Sequence, residues 1–306
     1  ENKIYSGFQL FWVSHWINAF QYWTLGYAPQ AAFATLVLVH AANGALFFLL
    51  LWRLAVETRV AYLSSAALVV IPIAHAPLFW PVNCSFFVWP LFWLLLFLHV
   101  VSGTLEAGRL TLPAALKQAG LALLAVFSGS PVFYLLLGAG LWMALCFWGR
   151  RKLRLALGVT LLNLAIVGGA VWTYRAYLRT TRDPATRGQR RGERFLYTWE
   201  YFAAATRATG MHLERLTGVT PLSYYRLERS PEGAAWGLLA AAVALGVALR
   251  LKPGPEKPVA ARRLALFALG MGLLAYAPIA LLNSKTLRHY YHLSPYVSLL
   301  LMLPAS

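Results

Sequence analysis

Six residues within eight positions carry the most concentrated chemistry in the chain: Lys285, Arg288, His289, Tyr290, Tyr291 and His292. They sit in the polar island Asn283-Ser-Lys285-Thr-Leu-Arg288-His289-Tyr290-Tyr291-His292-Leu-Ser-Pro295, with apolar sequence at 264–282 before it and 296–303 after it. Two cations, two imidazoles and two phenols beside an apolar run suit a phosphate whose tail is in lipid. The same residue types also collect in the interfacial belts of membrane proteins. Transfer from such a phosphate needs a base for the acceptor hydroxyl, most often a carboxylate. Glu1 and Glu200 are the candidates, and Glu200 lies between Trp199 and Tyr201, on whose rings a sugar could stack. A surface ion pair to one of the many nearby arginines is the alternative reading of Glu200. A second polar pair, His40 and Asn43, lies three apart on one face of an apolar run. Interhelical hydrogen bonding and cavity lining both fit it. His75 and Asn83 stand in a short polar turn, where they could touch substrate or cap a helix.

Those residues need helices to position them. The chain has 306 residues, 59% hydrophobic and only 12% charged, about half the charge of a soluble domain. Its apolar runs are continuous rather than alternating, which selects membrane helices over a barrel. Runs at 31–52, 61–73, 86–101, 112–127, 132–148, 155–174, 234–249, 263–282 and 290–303 predict about nine spans in one all-α polytopic domain covering 1–306. The run at 112–127 carries Lys117 and is short enough to dip rather than cross. Residues 1–30 are aromatic, with Trp12, Trp16 and Trp23 near one helical face and Ser14, His15, Asn18 and Gln21 on another. That pattern reads as an interfacial helix, with a first spanning helix as the alternative. Residues 179–233 are polar and arginine-rich and read as a long loop lying on the bundle.

Alternating the spans puts Arg53/Arg59, Arg109/Lys117, Arg150–Arg154 and Arg250–Arg263 on one side, which the positive-inside rule makes cytoplasmic. The long loop, the 75–83 turn and the Arg288 island then face outside. The net charge of +17 is answered here by membrane lipid headgroups or a phosphorylated substrate, not by nucleic acid. Cys84 and Cys146 show neither metal spacing nor a disulfide framework. The chain opens on Glu1 and stops just after an apolar run, so both ends read as those of a piece of a longer protein.

The stretch Leu38-Val-His40-Ala-Ala-Asn43, running on to Arg53, resembles a helix of the GT-C membrane glycosyltransferases, in particular the protein O-mannosyltransferase-like group with its tetratricopeptide-bearing members. His75, Pro77 and Trp89 are similar to that group's His-Pro and Trp features. Phe127-Ser128-Gly-Ser-Pro131 stands where the group tends to carry Ser-Lys-Glu, and the 287–295 segment resembles its Glu-Arg-Tyr-x-Tyr-Leu-Pro-Ser segment. The resemblance implies a GT-C-like bundle in a bacterial inner (plasma) membrane, a polyprenyl-phosphate-linked sugar as donor, no metal, and a site facing outside. It also leaves room for a non-catalytic GT-C-like subunit that holds lipid or membrane protein partners. A transporter is the third reading, with no inverted repeat in its favour. Three departures remove charge from the implied site: Glu1 is the one acid in residues 1–30, Gly129-Ser130 replaces Lys-Glu, and Leu287 replaces Glu.

Overall fold

The computed structural model describes residues 12–26, 29–70, 81–128, 133–181, 250, 262–267, 270, 271 and 274. Among these residues the chain is all-helical, with no strand. The helices are α1 (Trp12–Leu25), α2 (Pro29–Arg53), α3 (Thr58–Val70), α4 (Pro81–Ala107), α5 (Leu112–Ser128), α6 (Phe133–Phe147) and α7 (Leu153–Thr181), with a 3-10 turn at Gly149–Lys152 leading into α7. Among the described residues, three stretches are long and apolar enough to cross a membrane: Gln30–Arg53, Val88–Ala107 and Gly149–Thr173. Leu112–Ser128 and Gly138–Phe147 are apolar but shorter.

Local chemistry accounts for the helix ends. Pro29 and Pro81 open α2 and α4, where a missing N–H costs nothing. Thr111 caps α5, its hydroxyl accepting from the Ala114 N–H at 3.4 Å. α2 stops in a Schellman arrangement: the Val56 N–H donates to the Leu51 carbonyl and the Ala55 N–H to that of Trp52, both at 3.0 Å. Ala55 takes the left-handed conformation (φ 59°) that glycine usually fills there. Buried Leu51 and Val56 supply the apolar contact that goes with the motif.

α4 is the central helix. Phe97, Leu98, Val101 and Leu105 are buried in one continuous core with Phe47, Leu50 and Leu51 of α2, Ala122, Ala125 and Val126 of α5, and Ala139 and Met143 of α6. α7 is peripheral: Ala156, Val159, Val167 and Val171 turn inward while Leu157, Leu161, Leu164 and Trp172 are exposed. A row of exposed leucines opposite a buried valine and alanine face is what a lipid-facing surface looks like. α1 shows the same inversion. Ser14 is 0% exposed while Trp16 is 71% and Trp23 82% exposed. The expected polar face of this helix therefore meets the bundle, and the expected aromatic face points away from it. Ser14 Oγ donates to the Ser128 carbonyl at 2.8 Å, satisfying a last-turn acceptor of α5.

Side-chain contacts sort the two ends of the bundle. The α2–α4 contacts pair Asn43 with Val88, Leu46 with His99, and Arg53 with Glu106, so these two helices run parallel. A Cβ on Gly108 would sit 2.5 Å from Lys152 Nζ, which places the α4–α5 loop against the turn before α7. The described residues 262–267, 270, 271 and 274 run antiparallel to α6: Phe147 meets Phe267 ring to ring at 5.2 Å, and a Cβ on Gly138 would meet Leu274. Gly270 makes room for the Trp142 indole, whose Nε1–H donates to the Leu266 carbonyl at 3.0 Å. Arg53, Arg109, Lys152 and Arg262/Arg263 thus gather at one end, and α1 with Ser128 at the other. This is the sorting expected from the charge pattern.

Three boundaries differ from the sequence reading. Pro81 and Asn83 lie in the first turn of α4, not in the preceding turn. α4 also continues to Ala107, several residues past the expected end of that apolar run. α7 continues through Thr181, taking in the first residues of the expected loop.

Candidate functional site

The described part of the candidate site is a polar seam where α2 meets α4. On α2, Asn43, Leu46 and Arg53 recur on the stripe that faces α4. Asn43 is fully buried and its Nδ2 donates to the Val88 carbonyl at 3.0 Å. Its Oδ1 is buried without a hydrogen-bond partner among the described residues, which leaves one acceptor of the amide unused. His40 is buried one turn earlier. The pair therefore sits in packed helix–helix contact, and Asn43 does the interhelical bonding that was one of its two sequence readings.

Around that end of the seam, Leu36 and Val88 pack with Val39 and Trp89. Trp89 stacks on Trp93, with centroids 5.9 Å apart and planes at 23°, and Phe92 meets both rings edge-on. Both indole N–H groups are buried and find no acceptor among the described residues. Pro90, next to Trp89 in sequence, lies inside α4. It lacks the N–H that would bond the Phe86 carbonyl. The N-terminal half of α4 thus collects unused indole donors and an internal proline, while Phe97, Leu98, Val101 and Leu105 of its C-terminal half are buried in the core.

The other end of the seam holds groups that sequence reading did not single out. His99 Nε2 lies 2.9 Å from the Leu46 carbonyl and must carry the proton, since a carbonyl only accepts. The Ser102 hydroxyl and the Arg53 Nη1 both donate to the His99 carbonyl, at 2.9 and 3.3 Å. Arg53 grips Glu106 with its fork: Nε is 3.0 Å from each carboxylate oxygen and Nη2 is 2.7 Å from Oε2. Gly103 is what allows the guanidinium this close, since a Cβ there would sit 2.9 Å from Nη2. The available signal was that Arg53 and Glu106 are the closing charges of two runs expected to end on the same side.

The Arg53–Glu106 pair is about one third exposed, 36% and 38%, so its worth is that of a well-formed surface pair. A double-mutant cycle with Arg53→Gln and Glu106→Gln should give a coupling of about 0.5–1 kcal/mol. Reversible unfolding in detergent micelles would measure it. Zero coupling would mean that packing alone holds these two helix ends together.

Of the sequence-derived site residues, the structure buries His40 and Asn43 about one turn apart on α2, with Asn43 in the seam, and places Asn83 in the first turn of α4. Glu1, His75, Glu200, Lys285, Arg288, His289, Tyr290, Tyr291 and His292 lie outside the described residues. No protein-family model, curated protein or solved structure matches this chain.

Proposed function

We propose that the chain is a GT-C-like glycosyltransferase with about nine spans, working on the face of the bundle opposite the basic loops. One observation supports the reading above the others. The aromatic N-terminal half of α4, the Asn43 end of the seam and α1 share one end of the bundle, away from Arg109 and Lys152. The end free of that positive charge is the extracytoplasmic one by the charge rule. The Arg288 island belongs on the same side by span alternation. A sugar on a polyprenyl phosphate would present its anomeric carbon there. An acceptor hydroxyl oxygen bonds to that carbon, the carbon–oxygen bond to phosphate breaks, and the hydroxyl proton passes to a carboxylate, Glu200 or Glu1. Arg288, with Lys285 and a Tyr290 or Tyr291 hydroxyl, takes up the charge left on the lipid phosphate.

A second reading rests on the three charge departures at 1–30, Gly129-Ser130 and Leu287. On it the chain is a non-catalytic subunit that keeps the bundle and binds lipid or partner helices. One assay separates the two. The protein in proteoliposomes, supplied with a radiolabelled polyprenyl-phosphate sugar and a mixed acceptor pool, should release lipid phosphate and label an acceptor, with Glu200→Gln lowering the rate about 100-fold or more, as for loss of a general base. Donor binding without release in the parent protein would support the subunit reading.

A further inference from the structure

The end of the bundle remote from the proposed reaction face carries a surface of its own. Two tight loops meet there, Gly108–Thr111 between α4 and α5 and Trp148–Lys152 before α7. Each turns on a glycine in the left-handed region, Gly108 at φ 72° and Gly149 at φ 61°. Only a residue without Cβ adopts that conformation at little cost. At Gly108 a Cβ would also meet the Lys152 ammonium, so the two loops approach each other closely at this glycine. The result is a patch of Arg109, Arg150, Arg151, Lys152 and Arg154, all exposed except half-buried Lys152. The nearest acid in sequence, Glu106, is already held by Arg53.

The helices that leave this patch make the charge more telling. α5 and α7 both begin here, and neither has an acidic residue in its first turn. Cations crowd two helix N-termini, where the backbone dipole already favours negative charge. That arrangement is unfavourable unless an anion resides there. Along the same two helices exposed leucines follow: Leu112 and Leu116 on α5, with the exposed Lys117 beside them, and Leu157 and Leu161 on α7, one turn apart in each case. α5 and α7 pack side by side. Cations at the loop level above rows of exposed leucine have the layout of a headgroup over acyl chains.

We propose that this surface is a binding site for an anionic phospholipid, the phosphate lying among Arg109, Arg151 and Lys152 and the chains along the exposed leucines. The site is on the opposite end from the proposed transfer chemistry and stands or falls separately from it. It would hold lipid as a structural ligand of the α4–α5 and α6–α7 loops.

Native mass spectrometry of the full chain, released from micelles containing equal phosphatidylglycerol and phosphatidylcholine, tests it. The parent should retain phosphatidylglycerol in preference to phosphatidylcholine. The double variant Arg109→Gln/Lys152→Gln should weaken that retention by roughly 10- to 30-fold, the value of two basic side chains at an anionic surface. The charge-conserving variant Arg109→Lys/Lys152→Arg should keep it. Glycerol phosphate at the same concentration should not displace the lipid. Equal retention of the two lipids, unchanged retention in the Gln variant, or displacement by glycerol phosphate would each overturn the proposal, the last by making the site one for a soluble phosphate.

Discussion

Phe97→Ala is expected to destabilise the fold by about 2–3 kcal/mol. Phe97 is 0% exposed and lies on the helix that touches most of the others. In soluble proteins Phe→Ala in a core costs about 3–5 kcal/mol, part of it transfer out of water and part cavity. Here the transfer part shrinks, because lipid tails are as apolar as the core and give little hydrophobic drive between helices. What remains is the cavity, roughly 100 Å³ at about 24 cal/mol per Å³. Leu161→Ala is the matched control: Leu161 is 55% exposed on α7, so truncating it leaves little cavity and should cost under about 0.5 kcal/mol. Unfolding of both variants in mixed micelles would read the difference. Equal costs would mean that α4 is not the packed centre and that the arrangement around it is wrong.

Arg288→Ala should weaken binding of polyprenyl phosphate by about 1.5–3 kcal/mol, the range for a hydrogen bond to a charged group, or roughly 10- to 150-fold in Kd. The physical reason is specific to guanidinium. It stays charged at any working pH and offers a planar fork to two phosphate oxygens, where an ammonium is a point charge. Arg288→Lys should therefore recover part of the affinity and not all of it. Lys285→Ala should cost less than Arg288→Ala. Binding can be followed by equilibrium partition of labelled polyprenyl phosphate into micelles of each variant. Full affinity in both Arg288 variants, with the fold intact, would reduce the island to an interfacial belt and remove the main support for a lipid-phosphate donor.

Class and coarse layout were legible in the residues alone. Continuous apolar runs bounded by charge demand helices in a low-dielectric setting, because backbone groups there must bond within their own segment. The run expected at 31–52 is the helix Pro29–Arg53, and that at 112–127 is Leu112–Ser128. Basic residues at alternate run ends put Arg53, Arg109 and Lys152 at one end of the bundle, as the contacts have it. Tertiary structure decided which polar groups meet. Nothing in the spacing of His99 says that its ring reaches the Leu46 carbonyl, or that Ser14 closes the end of α5 against Ser128. Those pairings depend on the rotation of each helix about its axis and on its slide along its neighbour, and packing of whole faces sets both. The same cause settles Asn43: a polar residue on an apolar helix can point at a partner helix or into a cavity, and only the position of Val88 on α4 decides that its amide donates across the α2–α4 contact.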